Sequence, residues 1–292
     1  MNNLLRAEWL KLAKRPLTWV LLSIFLLLLA LQILTQFIFV ALLGERPPGT
    51  TIALQIEEWQ RRSSFPGMFG VVFNHANGLG GFFAVVFAAG LMGSEYSWGT
   101  LRAQLARHPD RTRFLLAKLG AIMLALALAI VLALILGALL GIALGAIVGT
   151  FGNVTLADLL MLPVALLRAL YVLLPYVLIT LCWTILGRSL LAGVAGGFAY
   201  LVLEAGFGTL TMLQVLGGVW QWIYNLTIGQ NINALALENS RAFGLRPETL
   251  TAIDLALLPS QPQAIAVVTV YSAILLGTAI YLLRRRDITG PS

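Results

Sequence analysis

Six apolar runs dominate the chain, at roughly 17–43, 71–93, 114–150, 159–186, 190–209 and 264–283. A helix needs ~20 apolar residues to cross a bilayer core, so each run predicts a spanning helix. The third is too long for one straight crossing, at ~55 Å against a ~30 Å core. It is expected to protrude or to break near its glycines. The fourth is expected to open with a short interfacial helix before Arg168. The first run, from Leu17 to Leu43, far exceeds the ~7–15 residues of a signal-peptide core. No small-residue cleavage site follows it, so it reads as a retained first span.

Polar interruptions have their own periodicity. In "GSEYSWGTLRAQLARHPDRTRFLLAK", residues 93–118, Trp98, Leu101 and Leu105 recur at helical spacing, while Arg102, Gln104 and Arg107 point elsewhere. Pro109 should end this short amphipathic helix, and Asp110 should cap the next span. At the N-terminus, "LLRAEWLKLAKRP" sets Leu5, Trp9 and Leu12 against Arg6, Lys11, Lys14 and Arg15 before Pro16. That pattern suits a helix lying in the membrane interface. Residues 44–70 are polar. Residues 210–263 carry Trp220, Trp222 and Tyr224 and predict short helices resting on, or dipping into, the outer leaflet.

Composition narrows the class. The chain is 59% hydrophobic and 11% charged, with mean hydropathy +0.90, where a soluble domain carries about 25% charged residues. Long unbroken apolar runs exclude the alternating strands of a membrane barrel, leaving an all-α polytopic membrane protein. The net charge of +7 reads as an excess of Lys and Arg in cytoplasmic loops rather than a nucleic-acid surface. With both termini inside, thirteen Lys and Arg face the cytoplasm. Five, namely Arg46, Arg61, Arg62, Arg241 and Arg246, face outward. Cys182 is the single cysteine, which excludes an internal disulfide and a cysteine-based metal site.

Several constellations are candidates for chemistry. Gly137, Gly141, Gly145 and Gly149 form a stripe where another helix, in the same chain or a second copy, can approach closely. Arg168 and Glu204 are the charges well inside spans, and are expected to pair. "EEWQRR", residues 57–62, fits the EExxxR pattern of intramembrane CAAX-type proteases, but neither His75 nor His108 falls in the frame those enzymes need. The lysines, Lys11, Lys14 and Lys118, follow Leu10, Ala13 and Ala117, so no Gly-Lys of a P-loop is present. If ATP drives this protein, another chain binds it.

The segments "RAEWLKLAKRP" before the first span, "GSEYSWGTLRAQLARHPDRTRFLLAK" after the second and "LLRRRDI" after the last, in order along a six-span chain, resemble the permease subunits of type-2 ABC exporters. The most specific part is Glu95 with Gly99, Thr100, Leu101 and Arg102, then Arg111 and Lys118. The resemblance implies a coupling helix over residues 95–108, including Trp98 and Leu105, that docks on a separate ATPase subunit. It further implies an N-terminal interfacial helix, extracellular helices before the last span, and a second permease copy. This chain would be non-catalytic and hold no cofactor, with ATP and Mg on the partner. The location implied is the plasma membrane. The rival expectation is a stand-alone channel or secondary carrier, which would need polar groups or broken helices at mid-membrane. A third is a membrane anchor with no transport role.

Overall fold

The computed structural model describes residues 2–43, 51–101, 104, 110–149, 151–208, 216–246 and 258–285. Ten helices are formed among them: α1 (Asn2–Lys14), α2 (Pro16–Leu43), α3 (Thr51–Ser63), α4 (Gly67–Ser97), α5 (Arg111–Val148), α6 (Leu156–Gly187), α7 (Leu190–Gly208), α8 (Gly218–Asn225), α9 (Ile228–Ala242) and α10 (Gln261–Arg285). Six of these, α2, α4, α5, α6, α7 and α10, are long and apolar enough to cross a membrane. The protein is an all-α polytopic membrane protein.

The spans alternate in direction, so α1 and the end of α10 lie at one end of the bundle with Arg15, Arg111, Lys118 and Arg188. This is the basic end of the bundle, and α3, α8 and α9 sit at the far end. α4 and α6 form the centre. Two-thirds of the most apolar window of each is buried, whereas in α2, α5, α7 and α10 less than a third is. α9 packs against α4, α6 and α10, so part of the stretch between the last two spans is inserted into the bundle rather than laid over it.

Local chemistry explains the boundaries. Pro16 opens α2 at its first position, where no backbone N–H is missed. The Asp110 carboxylate accepts from the backbone of Thr112 and Arg113, both at 3.1 Å, and so caps α5. Thr155 and Asp158 form a reciprocal capping box on α6. Gly149, at φ 78°, ends α5 by donating to Gly145 O at 2.8 Å.

Of the two expectations for the third span, protrusion is the one realised: α5 is one unbroken helix of 38 residues, about 57 Å long, and it projects beyond a single crossing. Two expectations about the elements need correction. The fourth has no separate interfacial helix, because α6 runs unbroken from Leu156 to Gly187 through Pro163 and Pro175. The helix expected over 95–108 is divided. Glu95 to Ser97 are the last turn of α4, and Gly99, at φ 66°, turns the chain before helical structure resumes at Thr100. Trp98 and Leu101 therefore do not share one apolar face. Trp98 is 66% exposed and Leu101 is 3% exposed. Arg102 and Leu105, with Arg107 and the stop at Pro109, lie outside the described residues.

Candidate functional site

The basic end contains a buried group of four charges drawn from three helices. α1 contributes Glu8 and Lys11, one turn apart on one face. α4 contributes Glu95 from its last turn, and α5 contributes Lys118 from its third. Lys118 Nζ lies 2.9 Å from Glu8 Oε2 and 2.9 Å from Glu95 Oε1. Lys11 Nζ reaches Glu95 Oε1 at 3.2 Å and also bonds Glu8. Glu8, Glu95 and Lys118 are buried, and only Lys11 has appreciable exposure. Two carboxylates against two ammonium groups leave no net charge, a requirement for keeping such groups out of water. Phe114, one turn before Lys118, places its ring 5.2 Å below the ammonium. Burial alone would raise the Glu8 pKa, but Lys118 and Lys11 outweigh it and hold Glu8 below the ordinary carboxylate range.

The group is joined to the segment beyond α4. Gln104 Nε2 donates to Glu95 Oε1 at 3.3 Å, while Glu95 Oε2 is buried and finds no hydrogen-bond partner among the described residues. Beside it, Arg15 donates to Ser94 Oγ at 2.8 Å and to Gly90 O at 3.3 Å. Its guanidinium lies 5.1 Å from the centre of the Trp98 ring. Gly99 and Thr100 are exposed at the turn. Arg111 closes the same end by donating to the carbonyls of Leu283 and Arg284 at 2.8 and 2.9 Å, which caps the C-terminus of α10. The sequence reading singled out Glu95 and Lys118 but missed Glu8. The available signal was modest: Glu8 is the one acid in a basic amphipathic helix, three residues before Lys11.

The two intramembrane charges do not pair. Arg168 donates to Asn239 Oδ1 on α9 at 2.9 Å, and Asn239 in turn donates to Ala165 O at 3.1 Å. Glu204 accepts from Tyr176 Oη at 3.0 Å. The reason is register. Tyr176 is the α6 residue level with Glu204, and Arg168 lies eight residues, ~12 Å, farther along the helix. Gly229, in the first turn of α9, packs directly on the Glu204 side chain; a Cβ there would fall 2.4 Å from Oε1.

The glycines of α5 divide their roles. A Cβ on Gly137 would fall 2.6 Å from Val72, and one on Gly141 would fall 3.2 Å from Phe65, so these two receive the opening of α4 and the turn before it. Gly145 is buried, and Gly149 is the helix cap. The EEWQRR stretch lies in α3, where Glu57 pairs with Arg61 and Glu58 with Arg62. Glu58 also accepts from the Arg246 backbone N–H at 3.0 and 3.1 Å. Burial raises the Glu58 pKa despite these partners. His75 is placed between Gln32 Oε1, at 2.7 Å, and Phe25 O, at 3.2 Å. Among the described residues no three His, Cys, Asp or Glu side chains are grouped to hold a metal ion.

No curated protein and no solved structure matches the chain. The family described as "protein of unknown function (DUF2705)" matches residues 44–289, which take in five of the six spans, the turn at Gly99 and the far-end helices. The chain belongs to that family.

Proposed function

We propose that this chain is the permease subunit of a type-2 ABC exporter of the plasma membrane, with both termini cytoplasmic and a separate ATPase docked at the basic end. The observation that carries the reading is the buried group Glu8, Lys11, Glu95 and Lys118. It ties the interfacial helix, the end of the second span and the start of the third directly behind the turn at Gly99. A rigid displacement of that turn would move three helices together, which is what coupling to an ATPase requires. The docking element is the exposed edge at Trp98 to Thr100. Leu101 is its internal anchor rather than part of the contact. A second copy of the chain would complete the transport path.

The reading is tested by purifying the chain from its native membranes and measuring ATP hydrolysis in the preparation. Retained hydrolysis that disappears in Trp98→Ser, with the permease itself still folded, supports it. A wild-type preparation with no associated ATPase would count against it.

The rival, an ion-coupled carrier, is favoured by one observation. Polar contacts do occur inside the spans, at His75 with Gln32 and at Glu204 with Tyr176, and the buried Asn77 amide has no partner among the described residues. Transport into sealed vesicles driven by an ion gradient in the absence of ATP would select that reading.

A further inference from the structure

Between α1, α2, α4 and α5 lies an apolar cavity of about 240 Å³, lined at its mouth by Trp9, Ala13 and Trp19 and at its depth by Phe25, Ala76 and Leu132. Along α4 it extends from Phe87 to Ala76, eleven residues or ~16 Å. That is about half of a ~30 Å hydrocarbon core, so the depth of the cavity matches that of one leaflet.

The mouth is cationic. Arg6 stands three residues before Trp9 and seven before Ala13, on the same side of α1. Lys14 follows Ala13 directly. Both are exposed, and neither makes an ion pair or hydrogen bond with the described residues. The other two cations of the stretch are engaged: Lys11 in the buried charge group and Arg15 on Ser94 and Gly90. Trp19 Nε1 donates to Ala13 O at 2.9 Å while its ring remains 58% exposed, fixing an indole at headgroup level.

We infer that this cavity binds one acyl chain of an anionic phospholipid from the leaflet beside α1, with the headgroup phosphate held by Arg6 and Lys14. The apolar lining and one-leaflet depth select an acyl chain. The two uncommitted cations at its mouth select a negative headgroup. The same two cations disfavour a second copy of this chain as the occupant, since it would bring like charges together. Lipid binding at this cavity requires no ATPase partner.

The test is native mass spectrometry of the full chain in detergent, titrated separately with phosphatidylglycerol and phosphatidylcholine carrying identical acyl chains. The wild type is expected to take up one phosphatidylglycerol per chain in preference to phosphatidylcholine. Arg6→Gln with Lys14→Gln should reduce that preference by about fivefold for each cation removed. Ala129→Phe, which fills the cavity wall on α5, should remove binding of both lipids. Equal uptake of the two lipids by the wild type overturns the headgroup assignment, and undiminished uptake by Ala129→Phe overturns the cavity assignment. Should Ala129→Phe fail to fold, the Arg6 and Lys14 variant alone decides, because it alters only exposed side chains.

Discussion

The ammonium of Lys118 lies 2.9 Å from the carboxylate of Glu95, and neither side chain is open to solvent. Such a pair adds little net stability over an apolar pair of the same size, yet breaking it on one side strands a buried charge, at a cost of about 3–5 kcal/mol. Lys118→Met and Glu95→Gln should each lower the thermal midpoint in detergent strongly. The double variant should cost clearly less than the sum, because it removes both charges together. Additive losses would show that the two groups do not interact.

Glu8 gives this group a pH dependence of known sign. Its pKa in the folded protein is lowered, so the stability it contributes is fully present above its ordinary value of about 4.3. That stability is lost as pH falls through the lowered folded value. Thermal midpoints measured from pH 6 downward should therefore drop below about pH 4.3, and Glu8→Gln should flatten part of the drop. A Glu8→Gln protein with an unchanged acid limb would place the titrating group elsewhere.

Much of the architecture was legible because the bilayer imposes it: apolar length marked the six spans, and Asp110 marked a helix start where the structure has one. Where the sequence misled, the reasons are physical. Periodicity describes faces of a continuous helix, and Gly99 interrupts the helix between Trp98 and Leu101, so the stripe read across it was not a face. The glycine stripe of α5 was legible as a surface for close approach, and Gly137 and Gly141 do admit α4 while the backbone stays helical. Arg168 and Glu204 were paired by elimination, since Asn239 and Tyr176 carry no charge and attract no notice in a sequence. Glu8 was hidden for a similar reason: its partners come from α4 and α5, and only packing brings them together.

Arg168 should couple to Asn239 rather than to Glu204. A hydrogen bond to a charged group is worth about 1.5–3 kcal/mol. In double-variant cycles, Arg168→Ala with Asn239→Ala should show a coupling energy of that order. Arg168→Ala with Glu204→Gln should be additive to within about 0.5 kcal/mol. Glu204→Gln should instead couple to Tyr176→Phe. The opposite pattern would restore the direct ion pair.

Close approach of helices makes a second set of substitutions informative. A Cβ on Gly93 would fall 2.3 Å from Leu190 Cα, against backbone, whereas one on Gly137 would meet the Val72 methyl at 2.6 Å, against a side chain. A side chain can rotate away and backbone cannot. Gly93→Ala should thus destabilise more than Gly137→Ala, with the latter within the about 1–3 kcal/mol of ordinary overpacking. Gly277→Ala, with nothing within 4 Å, should be neutral or slightly stabilising, since alanine favours the helix. Ranking the three by midpoint in detergent checks the order.

The proposed orientation of the bundle is open to direct labelling. Arg15, Arg111, Lys118, Arg188, Arg284 and Arg285 gather at one end with α1, and the positive-inside rule predicts that end on the cytoplasmic side. Trp98 is exposed there, and Trp220 on α8 is 54% exposed at the opposite end. Cys182 donates to Leu275 O at 3.3 Å, so Cys182→Ser keeps a donor and provides a cysteine-free background. In that background, Trp220→Cys should react with a membrane-impermeant thiol reagent in intact cells, and Trp98→Cys should react only after the membrane is opened. Labelling of Trp98→Cys from outside would invert the topology. It would also remove the basic end from the compartment where an ATPase finds ATP, so the proposed coupling would fall with it.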